Sequence, residues 1–330
     1  MRTPAARRPR VVIITPRSAT SNAGNWHTAA RWARFLRARY RVIVTDHWDG
    51  LEPDCLIALH ARRSADTIAA FAAAHPDTPL VVVLTGTDLY RDIASDQSAQ
   101  RSLELATRLV VLNELGAQRL PRRMRAKCSV ILQSAPPLRQ GTRSARTLTI
   151  AVVGHLRAEK DPQLVWDMLA QIDPTIPLRV VHAGAAYDAV LGRKAETVAQ
   201  RDPRYCWLGN VTRPVARQLM RRAHLLLHPS VMEGGAQVVI EAVTAHTAVI
   251  GSRIDGNAGL LGRDYPGWFK VGDAKGAARL IERAARDPAF LRRLQSRCAQ
   301  RARLFAPARE AAAVNKLVDN VLQARMRKSR

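Results

Sequence analysis

The sequence predicts an α/β fold of two doubly wound halves with a C-terminal helix crossing back, and three observations predict it. Short β-branched apolar runs alternate with longer Ala/Leu/Arg segments of helical period, the pattern of βα repeats and parallel sheets. One polar, Pro/Gly-containing segment, Pro136 to Ser144, interrupts that rhythm before it restarts, as a linker would. The length of 330 residues suits two domains, each of about 150 residues.

The elements follow in order. Strands are expected at Val11–Thr15, Tyr40–Thr45, Cys55–Leu59, Leu80–Leu84, Leu109–Leu112 and Ser129–Ile131. Helices are expected between them at Thr28–Ala38, Ala65–Ala74, Gln97–Ala106 and Glu114–Leu120. In the first of these, Ala29, Trp32, Ala33 and Leu36 recur at three- and four-residue spacing and make one apolar face. The second half restarts with strands at Leu148–Val153, Leu178–Ala183, Leu225–His228 and Ala248–Gly251. After Phe305-Ala306-Pro307 a last helix, about Arg309–Met326, has no strand behind it and is expected to pack across both halves. The domains expected are residues 1–143, 144–305, and a C-terminal helix with a basic tail over 306–330.

Composition narrows the function. Apolar residues make up 47%, enough for a core in each half. No stretch approaches the roughly 20 apolar residues of a membrane span. Val11–Ile14, behind Arg2, Arg7, Arg8 and Arg10, is too short for the apolar region of a signal peptide, so a soluble, cytoplasmic protein is expected. The four cysteines, Cys55, Cys128, Cys206 and Cys298, lie far apart and read as free thiols. The net charge of +25 admits nucleic acid, anionic lipid or phosphorylated metabolites as partners. The arginines are scattered, however, and aromatics are only 5%, without the stacking motifs of a nucleic-acid module. Neither nucleic acid nor stable membrane association is therefore expected. A nucleic-acid-binding protein on a degenerate enzyme scaffold, and peripheral attachment through Ala277–Arg303, remain as alternatives. The oligomeric state is left open.

Three segments of the second half carry chemistry. Val153-Gly154-His155-Leu156-Arg157-Ala158-Glu159-Lys160-Asp161-Pro162 follows a strand and precedes a helix, where ligands of parallel sheets sit. His155, Arg157 and Lys160 could set donors and charge beside a diphosphate. In His228-Pro229-Ser230-Val231-Met232-Glu233-Gly234-Gly235-Ala236-Gln237, a strand ends and a helix is expected to start near Gly235. The amides of Gly234 and Gly235 and the helix dipole would make an anion site. Glu233 precedes that helix and Glu241 lies inside it; carboxylates accept from vicinal hydroxyls, so Glu241 suits a ribose and Glu233 a hexose. Val238, Val239 and Ile240 imply a buried helix, and a buried carboxylate without partners is costly. The loops at Gly184 and at Leu208-Gly209-Asn210 could accept a planar base. His224 and His228, on one strand, read as structural.

These segments together resemble the donor domain of the retaining GT-B glycosyltransferases of family 4, which carry G-R-L-x-x-x-K-G and E-x7-E motifs. The resemblance implies two Rossmann-like domains facing a cleft. It implies that Lys160 binds the donor diphosphate, and that Glu233 and Glu241 contact the donor sugar and the ribose. His155 stands where the family has arginine, and Asp255-Gly256-Asn257-Ala258-Gly259 replaces a segment that usually holds a glutamate. The first half, through Ser21–Thr28, Leu59–Ser64 and Thr85–Asp92, is similar to the selenosugar synthases of selenoneine biosynthesis. That resemblance implies transfer of a sugar from UDP-N-acetylglucosamine, or a close relative, to selenophosphate, with the UDP-sugar as co-substrate and no other cofactor.

Residue chemistry is compatible with that implication. Asn22, Gly24 and Asn25 make a polar turn at a helix start, suited to an anion. His60, Arg62, Arg63 and Arg91, with Thr87 between strand and helix, suit a small anionic acceptor. His27 reads as packing or capping. Asp88 is the candidate base if one is needed, and Asp88, Glu233 and His60 are the catalytic candidates. No Asp-x-Asp motif occurs, so cationic side chains and a helix end are expected to carry the charge of the leaving UDP without a metal.

Overall fold

The structure is a computed structural model that describes residues 7–16 and 24–328. It divides into two compact units, residues 7–133 with 307–328, and residues 134–306. Each is a six-stranded, all-parallel sheet with helices.

The first sheet runs β1 (Arg10–Ile14), β2 (Arg41–Thr45), β3 (Cys55–Leu59), β4 (Leu80–Leu84), β5 (Arg108–Val111) and β6 (Cys128–Val130) along the chain. In space the order is β2-β1-β3-β4-β5-β6. β3 and β4 are buried throughout, so they read as continuous apolar runs instead of alternating ones. Alternate side chains supply two cores. Val12, Ile14, Leu56 and Val82 pack with Phe71 on one face. Val11, Ile13, Ile57 and Val81 pack on the other, with Trp32 and Leu36 of helix Gly24–Leu36. The C-terminal helix Pro307–Lys328 completes this second core with Val314, Val318 and Val321. A buried ion pair fixes it there: Glu310 takes Arg31 Nε at 2.8 Å and Trp32 Nε1 at 2.8 Å. Asp319 also accepts from Arg39 Nη1 at 2.6 Å and from the Tyr40 hydroxyl.

The second sheet comprises β7 (Leu148–Val153), β8 (Leu178–Ala183), β9 (Tyr205–Trp207), β10 (Leu225–His228), β11 (Ala248–Ser252) and β12 (Trp268–Phe269). Its order is β12-β11-β10-β7-β8-β9. The chain winds outward from β7 in one direction and from β10 in the other. The switch point therefore falls between the carboxyl ends of β7 and β10, where such sheets bind ligands. In the first sheet the corresponding point lies between β1 and β3.

Several expectations shift. The polar segment Pro136–Ser144 belongs to the second unit and is strapped onto it, Leu138 N to Thr244 O at 2.9 Å and Gly141 N to Arg221 O at 3.0 Å. Backbone bonds of that kind are invisible to composition. Glu114–Leu120 contains a 3-10 turn, Gly116–Arg119, in place of an α-helix. Ala277–Arg303 is two helices, Ala274–Arg286 and Pro288–Ala302, because Asp287 caps the second and Pro288 opens it. The two-residue β12 was not anticipated, being too short for any periodicity.

Candidate functional site

At the switch point of the second unit, two loops are stitched together. Val231 N donates to Glu159 O at 3.0 Å, and the Lys160 ammonium is paired with the Glu233 carboxylate. Lys160 closes the turn Ala158–Lys160. Asp161 follows at φ 44° and caps helix Pro162–Leu169 through Leu164 N, at 3.2 Å. Burial alone would push the Glu233 carboxyl up; Lys160 and His228 overcome it and hold the group well below the usual carboxylate range. His228 Nε2 lies 3.3 Å from Glu233 Oε1, poorly aligned for a hydrogen bond. Burial lowers the His228 imidazole pKa against the pull of Glu233. His228, expected to be structural, thus stands beside the carboxylate of the motif.

The helix of this motif begins at Gln237, two residues later than expected, with Gly234 and Gly235 in the turn before it. No side chain caps it and its first turn carries no acid, so its positive end favours an anionic acceptor. Glu241 is 5% exposed, inside the buried helix that its neighbours implied. It is not left uncompensated: Arg213 Nη2 and Nε lie 2.5 and 2.7 Å from Oε1, and Gln237 Nε2 lies at 3.4 Å. Arg213 is a partner that no spacing announced.

The β7, β8 and β9 loops interlock. A Cβ on Gly184 would stand 1.9 Å from the Gly154 carbonyl oxygen, so only glycine fits. Gly184 N donates to Gly209 O at 2.8 Å, and Trp207 Nε1 to Gly184 O at 2.9 Å. His182 bridges Gly154 O at 3.1 Å and the Tyr205 hydroxyl at 2.9 Å; its burial pushes the imidazole pKa down to about 4. His155 Nδ1 accepts from Ala185 N at 3.0 Å, and its ring stacks on Tyr187. Burial, then the charges of Arg157 and Lys160, lower its pKa. With Nδ1 occupied as an acceptor, Nε2 is the ring nitrogen left to carry a proton. Arg157 is exposed, its Nε 4.0 Å from Glu159, while Leu208 and Asn210 face solvent beyond β9.

In the first unit the loops after β3 and β4 meet. Asp88, fully buried, accepts from Ala61 N at 2.9 Å, Thr85 N at 3.0 Å and Gly86 N at 2.8 Å. Both oxygens are spent on backbone. His60 adopts φ 73°, a left-handed backbone that costs a non-glycine residue on the order of 1–3 kcal/mol and clusters at functional sites. Its Nδ1 accepts from Arg63 N at 3.2 Å and its Nε2 sits 2.9 Å from Thr87 Oγ1. Burial lowers its pKa, partly opposed by Asp88. Arg62 Nε binds Asp96 at 2.8 Å, and Arg91 Nε binds Asp92 at 3.0 Å. Arg63 is exposed next to them. Helix Gly24–Leu36 starts at Gly24, with Asn25 in its first turn; Asn22 lies outside the described residues.

Among the described residues no group of three or more His, Cys, Asp or Glu side chains could hold a metal ion. No helix among them is long and apolar enough to cross a membrane.

No curated protein sequence matches this chain. Solved structures do. Anabaena HepE in complex with UDP-glucose aligns at TM-score 0.73 and 15% identity, over 94% of this chain and 100% of that one. Sucrose-phosphate synthase from Thermosynechococcus elongatus aligns at 0.73 and 17%, over 96% and 100%. A glycosyltransferase from Rickettsia africae aligns at 0.72 and 10%, over 96% and 99%. At such identities the likeness speaks for the fold, which is GT-B. The family of glycosyl transferases group 1 matches residues 138–305, from the strap before β7 to the end of the second unit, and the chain belongs to that family.

Proposed function

We propose that this glycosyltransferase is a selenosugar synthase that takes its sugar from a UDP-sugar, UDP-N-acetylglucosamine or a close relative. The observation that carries the donor half is the junction of Lys160 and Glu233 at the switch point, closed by Val231 N on Glu159 O. A nucleoside diphosphate would draw Lys160 toward its phosphates and free Glu233 to accept from sugar hydroxyls. Lys160, the His155 Nε2–H, Arg157 and the turn Gly234–Gly235 would take the charge of the leaving group. HepE, of the same fold, holds UDP-glucose, which supports the same donor class here.

The acceptor half rests on the resemblance of Ser21–Thr28, Leu59–Ser64 and Thr85–Asp92 to the selenosugar synthases. Selenium of selenophosphate attacks the anomeric carbon as the bond to UDP breaks, its electron pair leaving with the diphosphate. Water then cleaves the Se–P bond to give phosphate and the 1-selenosugar. Selenophosphate is nucleophilic enough to need no base, and Asp88, bound by three amides, acts as the positioner of the two acceptor loops. Arg62, Arg63, Arg91 and Thr87 supply the anion contacts, and His60, its two ring nitrogens taken by Arg63 N and Thr87, orients them. One observation favours ordinary O-glycoside transfer instead: Arg62 and Arg91 are already engaged by Asp96 and Asp92. Incubating the protein with UDP-N-acetylglucosamine and selenophosphate separates the two. A selenium-containing sugar in the mass spectrum is expected; UDP release without one, in the presence of a hydroxyl acceptor, would favour the second reading. Activity undiminished by EDTA is expected of the metal-free leaving-group stabilisation proposed here.

A further inference from the structure

Tyr187 has no part in the donor reading above, and its surroundings give it one. It belongs to the loop after β8, where its backbone N donates to Leu156 O at 3.2 Å and Ala186 bridges to Leu156. One face of its ring is covered by His155, with centroids 4.5 Å apart and planes at 28°. Tyr187 is nevertheless 54% exposed, so its other ring face is open. Leu208, also exposed, follows Trp207, whose indole holds Gly184 O, and Gly209 O takes Gly184 N. The loops after β8 and β9 are therefore tied to one another beside an open aromatic face. A flat heteroaromatic ring needs such a face, held in place, to stack on.

We infer that Tyr187 is the platform on which the nucleobase of the donor stacks, forming a row of three rings that ends in His155. The inference rests on the donor-site reading above and adds a residue to it. The row also gives His155 a second tie besides Ala185 N, so base and diphosphate contacts share one rigid support.

Calorimetry with UDP and with inorganic pyrophosphate, which has no base, separates the roles. Tyr187→Ala should weaken UDP roughly 5- to 100-fold, the range of one base–aromatic stack, and leave pyrophosphate unchanged. Tyr187→Phe should bind both as the wild type does. The uracil H5 and H6 resonances of bound UDP should move upfield in the wild type and in Tyr187→Phe, and lose that shift in Tyr187→Ala. His155→Ala should weaken both probes. UDP affinity unaltered in Tyr187→Ala, or an equal loss for UDP and pyrophosphate, overturns the platform while leaving the donor site standing. A wild-type protein that binds neither probe overturns the donor reading and the platform with it.

Discussion

The loops after β7 and β10 in the second unit and those after β3 and β4 in the first occupy equivalent ends of their sheets, but they use polar groups differently. In the second unit charged side chains meet one another, Lys160 with Glu233 across the two loops and Arg213 with Glu241 between two helices. An arriving diphosphate or hydroxyl can exchange for either partner. In the first unit the central carboxylate, Asp88, holds three backbone amides, and His60 holds Thr87 and Arg63 N. Those groups shape the loops and have little left to give. On the function proposed above, the contrast would separate residues that meet substrate from residues that hold the loops in place.

The strongest way to break this contrast is Glu233→Ala. If Glu233 contacts the transferred sugar, kcat/KM should fall about 100- to 1,000-fold, the usual loss for one preorganised polar contact, while UDP affinity changes little. Steady-state transfer alongside UDP calorimetry reads both. Equal losses in transfer and in UDP affinity would make Glu233 a mere support for Lys160.

Asp88→Ala tests the other side. Removing a carboxylate that satisfies three amides leaves buried donors unpaired, at roughly 1–3 kcal/mol each. A large drop in urea midpoint is expected, with UDP affinity of the folded protein intact. Gly184→Ala should be its counterpart in the second unit, because its Cβ would overlap Gly154 O. There the stability loss should come with lost UDP binding, since the displaced Gly154 carbonyl immediately precedes His155 in the loop after β7. Normal UDP binding in a folded Gly184→Ala protein would uncouple the interlocked loops from the donor site.

The geometry of the loops after β7 and β10 was far more legible in sequence than that of the loops after β3 and β4, for physical reasons. Glu233 and Glu241 lie on one loop and the helix it enters, so eight residues of spacing encode their geometry. Lys160 follows its strand at a fixed distance in the same way. The burial of Glu241 followed from Val239 and Ile240. Its partner Arg213 did not, because it arrives from a helix before β10 and only tertiary packing joins them. His228 lay in plain sight beside Pro229, and its strand position concealed that the side chain emerges next to Glu233. In the first unit Asp88 reads as a base in sequence; only the fold shows Ala61 N, from 27 residues earlier, on its carboxylate. The strap at Pro136–Ser144 reads as a linker for the same reason, since Pro and Gly mark irregular backbone whether or not it is pinned.

A smaller effect should come from pH. His182 is neutral in the folded state, its pKa depressed to about 4 from an ordinary 6.5. Its contribution to stability is fully present above 6.5 and is lost as pH falls through 4, because the unfolded chain takes up the proton first. His182→Phe removes that titration while keeping an aromatic ring against Tyr205. The difference in urea midpoint between wild type and variant should shrink or reverse from pH 7 to pH 4.5. A constant difference would mean that His182 titrates alike in both states.

The smallest effect expected is also the one that decides whether the acceptor loops are spent. Arg62 and Arg91 are each about half exposed and paired with Asp96 and Asp92. Such exposed pairs are worth about 0–1 kcal/mol, so an anionic acceptor could draw the guanidiniums away at little cost. The double variant Arg62→Gln/Arg91→Gln should then raise KM for selenophosphate a few-fold, with kcat and UDP affinity near wild type. Higher ionic strength should erase the difference, because the contacts are solvent-screened. If KM is unchanged at low salt, the two arginines serve only Asp92 and Asp96, and the acceptor anion must be held by Arg63 or by groups nearer Asn25.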